Sequence, residues 1–151
     1  MSRLTEDISA FVQLLSEIYN RSKLPGISHR YLKHSEMMEI LGRLQSSHPK
    51  SFTVNEVGKS VEGRSIILIR LGEGRTKVLL WSQIHGDVST ATRALLDVLN
   101  LIGSNPSDSF IKTILDVATL LLLPMVNPDG AERYQRRNAI GTRAPVKPAL
   151  L

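Results

Sequence analysis

Two apolar runs do most to limit the folds open to this chain. In "KVLLWSQI", residues 77–84, four consecutive positions from Val78 to Trp81 are apolar, and "VATLLLLPMV", residues 117–126, holds a longer run. Runs without polar alternation suit strands covered on both faces. Between them the period changes: Ala91, Ala94, Leu95, Val98, Leu99 and Ile102 recur at the spacing of one helix face. Apolar strands alternating with amphipathic helices argue for an α/β sheet with helices on its faces.

The other segments extend this pattern. Leu4, Ile8, Phe11, Val12, Leu15, Ile18 and Tyr19 are spaced as a first helix, with Glu6 and Asp7 in its first turn, where the helix dipole favours acids. "LPG" at 24–26 ends it, and its stripe is expected to pack on the domain. A second helix is expected from about Ser35, a suitable N-cap, through Met37, Ile40, Leu41 and Leu44, with the methionines as core and "HPK" as its end. Two strands near 52–58 and 64–71 flank a turn at Glu62-Gly63. The third helix starts near Ser89 or Thr90 with Gly103 just past its end, and a short helix covers 108–116. "NPDG" at 127–130 marks a turn. The resulting organisation is an N-terminal helix and linker over 1–30, an α/β domain over 31–141 and an irregular tail with two prolines over 142–151.

A chain of 151 residues suits one domain with a real core. The absence of cysteine excludes disulfides and thiolate metal sites. Glu6, Asp7 and Glu17 interrupt the N-terminal apolar stretch, so no signal peptide is expected. No run approaches the ~20 apolar residues of a membrane helix, and a cytoplasmic location is the expectation. The net charge of +5 is uneven: after Glu132 there is no acid, while Arg133, Arg136, Arg137, Arg143 and Lys147 follow. A basic tail can bind nucleic acid or anionic lipid. With no aromatic interleaving beyond Tyr134 and no nucleic-acid motif, a nucleic-acid role is not expected.

His85 is the candidate for chemistry. It follows the third strand, and ligands in open α/β sheets bind beyond the carboxyl ends of strands. A His with a Glu three residues later can converge on one cation, and two His with one Glu is a standard catalytic zinc set. Such a metal polarises a carbonyl and acidifies its bound water. Here position 88 is valine, and the nearest carboxylate is Asp87. On spacing alone, a lone His at a strand end is more often a hydrogen-bonded structural residue.

Three stretches in fixed order change that balance. "HPKSFTVNEVGKSVEGRSIILIRLG", with a Gly-x-Ser-x-Glu-Gly-Arg element, resembles the opening hairpin of the zinc metallocarboxypeptidases. "VLLWSQIHGDVSTATRALLDVL" is similar to the family's first zinc segment, and "LLLLPMVNPDGAERYQRRNAIG" to the strand and loop that lead to its substrate-binding arginine. The likeness covers residues 31 to 141. It implies the N-terminal part of the zinc carboxypeptidase fold, a mixed, largely buried sheet flanked by helices. It also implies proteolysis by hydrolysis of C-terminal peptide bonds on a peptide substrate. His85 matches the first zinc ligand, Val88 stands where the glutamate ligand belongs, and Arg136 best matches the arginine that polarises the scissile carbonyl. Arg137 is the alternative if the match is shifted by one, and Arg64 fits a structural role.

The likeness then breaks. Valine has no lone pair to give a metal. After "RRNAIG" the family continues with an Asp-x-Asn-Arg element, but "TRAPVKPALL" follows here. The second zinc histidine, the substrate-capping tyrosine and the catalytic glutamate belong to a part not present. His29, His34 and His48 match no ligand position and are expected to be exposed. The expectation is a truncated, inactive relative that does not hold zinc tightly. The alternatives are a non-catalytic module that binds an acidic partner through 133–147, and a second chain that supplies the missing half.

Overall fold

The computed structural model describes residues 2–25 and 31–138, with side chains from residue 7 onward. Its elements are α1 (Ser2–Ser22), α2 (His34–Ser47), β1 (Thr53–Lys59), β2 (Ser65–Leu71), β3 (Thr76–Trp81), α3 (Thr90–Ser104), α4 (Ser109–Val117), β4 (Ala118–Leu123) and α5 (Pro128–Glu132). The sheet order is β1-β2-β4-β3. β1 and β2 form an antiparallel hairpin, β2 pairs antiparallel with β4, and β3 runs parallel to β4. Parallel neighbours cannot be joined by a tight turn. The chain between β3 and β4 is therefore long enough to carry α3 and α4. The α/β class and the mixed sheet flanked by helices stand as expected.

Alternation along β2 sends Ile67, Ile69 and Leu71 inward. They meet Leu122 of β4, Met37, Ile40, Leu41 and Leu44 of α2, and Leu96, Leu99 and Ile102 of α3 in one apolar cluster. Asp108 caps α4 by accepting the backbone N–H groups of Phe110 and Ile111. The hairpin turn needs Gly63, whose φ is +78°.

Several expectations are corrected. α1 does not lay its apolar stripe on the domain: Phe11, Val12 and Tyr19 are each more than half exposed. Its last turn is held by polar contacts instead. The Asn100 side chain donates to the Ser22 carbonyl (3.0 Å), and the Leu24 N–H donates to the Asp97 carboxylate (2.8 Å). β3 is not covered on both faces: it is an edge strand, and the face that carries Leu79 and Trp81 lacks a covering layer among the described residues, which leaves them 58% and 57% exposed. Gly103 lies inside α3, whose cap is Asn105, because the His48 ring packs where a side chain would stand, 2.5 Å from an added Cβ. His34 and His48 are therefore not simply exposed. His48 is half-buried against α3, and His34 is half-buried with a ring nitrogen 2.9 Å from the Ser65 carbonyl oxygen. α2 is capped from Lys33, whose N–H donates to Glu36, while Ser35 bonds Glu132. His29 and the 142–151 tail lie outside the described residues.

One buried polar network ties the hairpin to α5. The Asp129 carboxylate is fully buried and accepts from the Ser60 hydroxyl (2.6 Å), the Glu62 N–H (3.2 Å) and the Arg64 guanidinium (2.8 Å). Arg64 also bonds Glu62, and Arg133 forms a second ion pair with Glu62. Burial pushes the Asp129 carboxyl upward, but the bonds from Ser60, Arg64 and the Glu62 backbone outweigh it and hold its pKa below the usual value. The network's stabilisation is thus complete above the unfolded aspartate value, about 4, and fades as pH falls through the lower native one. Asp129→Asn is expected to cost about 2 kcal/mol at neutral pH. In urea titrations the gap between variant and parent should narrow below about pH 4.

Candidate metal centre and substrate loop

The candidate site is built where β3 and β4 end. Past β3, the Ser82 N–H donates to the Leu123 carbonyl; Ser82 and Gln83 then accept from Val126 and Asn127, each at 3.0 Å. Two loops therefore leave the same end of the sheet side by side. Gln83 turns its chain through the left-handed region, φ +50°. Its own amide supports that conformation, donating to the Leu32 and Gly86 carbonyls (3.1 and 2.9 Å) and accepting from the Thr92 hydroxyl (2.7 Å). Thr92 is fully buried and also lies within bonding distance of Ser82 and the Pro124 carbonyl. Gln83 and Thr92 escaped the sequence reading. The available signal was a polar residue ending an apolar strand, and a threonine one position from the apolar stripe of α3.

This web sets the turn that carries His85. The Val88 N–H donates to the His85 carbonyl (3.0 Å), closing residues 85–88. Gly86 is buried so tightly that an added Cβ would stand 2.0 Å from the Gly130 carbonyl carbon and 2.5 Å from the Gln135 carbonyl oxygen. The turn thus rests backbone to backbone on α5 and on the residue before Arg136. On that other side, the Asn127 side chain accepts the Gly130 N–H (2.9 Å), so Asn-Pro-Asp-Gly starts α5 rather than forming a simple turn. A Cβ at Gly130 would meet the Gln135 and Arg137 carbonyl oxygens at 2.7 and 2.5 Å.

The fold therefore brings the His85 turn and the Arg136 loop into contact. His85, Val88, Arg136 and Arg137 are all exposed, while Arg64 serves the buried Asp129 network. The donor set does not fit a catalytic zinc ion. Val88 offers a half-exposed isopropyl group where an oxygen is needed. Among the described residues, no group of three or more His, Cys, Asp or Glu side chains could hold a metal. Asp87 Oδ1 and Asn138 Oδ1 are buried without a hydrogen-bond partner among the described residues, so each loop keeps one unused oxygen.

Comparison with known proteins accounts for this arrangement. Residues 37–147 match the family model described as zinc carboxypeptidase. The zinc carboxypeptidase of Saccharothrix mutabilis subsp. capreolus and carboxypeptidase M of Mus musculus are each 28% identical over 68% of this chain. The chain spans only 25% of the length of each, and 8% of carboxypeptidase D from Anas platyrhynchos, to which it is 26% identical. Among solved structures, a metallo-carboxypeptidase from Burkholderia cenocepacia aligns with a TM-score of 0.63 at 28% identity, covering 74% of this chain and 31% of its own. Carboxypeptidase A from Helicoverpa armigera aligns with a TM-score of 0.58 at 25% identity, over 91% of this chain and 38% of its own. The matched residues contain the sheet, the His85 turn and the Arg136 loop, and on that evidence the chain belongs to the zinc carboxypeptidase family.

Proposed function

We propose that these residues form the N-terminal portion of a carboxypeptidase domain whose hydrolytic centre is degraded, so that the 151-residue chain alone does not cleave C-terminal peptide bonds. The observation that carries this reading is Val88. It occupies the turn position three residues after His85, and a hydrocarbon side chain there leaves a single imidazole to meet a metal. One imidazole falls short of the three protein ligands of a catalytic zinc site. Among the described residues, no group of three or more His, Cys, Asp or Glu side chains supplies the missing ligands.

Arg136 is the residue we assign to the carbonyl of a bound peptide. Its support is positional: it is exposed, and it directly follows the residue whose carbonyl abuts Gly86. Arg133 is tied to Glu62, which removes one cation from the basic segment that an acidic partner would need. A second chain supplying the rest of the domain would have to extend the sheet at β1 or β3, each of which pairs on one side only among the described residues.

Purified chain is expected to release no C-terminal amino acids from peptides of varied sequence, with or without added zinc. Chelator-sensitive release would overturn the reading. In calorimetric titration, zinc should bind weakly to the parent chain. Val88→Glu should tighten that binding about tenfold or more by adding a carboxylate ligand. His85→Ala should abolish the gain, and none of the three proteins should hydrolyse peptides. Tight zinc binding that survives His85→Ala would show that His85 is not a ligand.

A further inference from the structure

α1 lies outside residues 37–147, which match the family model, and the catalytic reading leaves it unused. It is 21 residues long, about 30 Å. Ile8, Phe11, Leu15 and Ile18 follow one another at steps of three, four and three, the spacing of a coiled-coil seam. In the structure these four are 40% to 59% exposed. The contacts of Ser22 and Leu24 with Asn100 and Asp97 hold the last turn against α3 and leave the seam facing solvent.

We propose that α1 is a dimerisation helix that pairs antiparallel with α1 of a second copy of this chain. The charges select both occupant and direction. In an antiparallel pair, seam residues meet across a two-fold axis, and a register with Phe11 opposite the partner's Leu15 also sets Ile8 opposite the partner's Ile18. The same register brings Leu14 against the partner's Leu14 on one flank and Val12 against the partner's Val12 on the other. It sets Asp7 opposite the partner's Arg21, twice by symmetry. Such a self-complementary patch is what an isologous dimer requires. A parallel pair would set Asp7 beside the partner's Val12 and leave both charges unmatched. A lipid surface is a poor occupant, because residues 7–22 hold Asp7 and Glu17 against a single Arg21, whereas helices on anionic membranes carry basic polar faces.

The test is sedimentation of the full chain across a concentration series, with circular dichroism to confirm that each variant is folded. The parent should be dimeric. Phe11→Glu should raise the dissociation constant at least about thirtyfold, the effect of losing a central apolar anchor. Arg21→Asp should weaken pairing on the order of fivefold, and adding Asp7→Arg should restore it. Because the chain has no cysteine, direction can be read by oxidation. Leu14→Cys should form a disulfide between copies, whereas Ile8→Cys should not, since ten residues separate Ile8 from the helix position it faces. A monomeric parent, a dimer indifferent to Phe11→Glu, a disulfide from Ile8→Cys in place of Leu14→Cys, or a monomer that binds phosphatidylserine vesicles through α1 would each overturn the proposal.

Discussion

The parallel pairing of β3 with β4 is the constraint on which the rest depends. Its register, from Thr76 opposite Ala118 to Trp81 opposite Leu123, makes both strands end together. The loops that follow must therefore emerge side by side. The Ser82, Gln83, Val126 and Asn127 backbone bonds continue the pairing past the sheet, and Gly86 and Gly130 let the two loops touch without intervening side chains. Asp129 then fastens the second loop to the β1–β2 hairpin. The His85 turn is thus positioned by main-chain geometry and buried polar groups, and not by the side chains that would do chemistry.

That division explains how a valine can stand at position 88 without disturbing the fold. The turn closes through the His85 carbonyl and the Val88 N–H, a bond that any residue except proline can make. The side chain at 88 is half-exposed and contributes nothing to the Gln83–Thr92 web or to the Gly86 contact. A glutamate there would be held by the same backbone. A side chain can therefore change at this position at little cost in stability, because groups displayed on a rigid scaffold are not themselves the scaffold.

Much of the fold was legible because period and punctuation are local. The strands begin and end within a few residues of the positions that apolar runs, Glu62-Gly63 and Asn-Pro-Asp-Gly indicated, and α3 and α4 follow their stripes. What escaped was set by residues distant in sequence. Asp129 reads as a turn residue until Ser60 and Arg64, 69 and 65 positions earlier, bury it in their bonds. Gly103 reads as a helix terminator until the His48 ring occupies its face. His85 could be singled out from its place at a strand end, but the choice between a metal position and a structural one rested on the likeness of three ordered segments.

Among the described residues, the apolar surfaces left open on α1 and β3 differ in origin. α1 has an amphipathic stripe whose own charges can specify a partner. β3 instead exposes side chains on both faces, since Leu79 and Trp81 share one side of the pleat and Leu80 lies on the other. A single helix could cover only one of those faces. A strand pairing with the edge would satisfy its outward N–H and C=O groups and extend the sheet, but would still leave layers to fill above and below. Parallel strands are normally buried on both sides, so β3 calls for a strand together with its flanking helices. The solved structures that align with this chain are about three times the matched length in total. Lys77, the one charged residue in β3, does not guard this edge, because its ammonium donates to the Gly74 carbonyl and the Thr119 hydroxyl of β4, so opposition to pairing with a second copy at that strand rests on the chain's net positive charge.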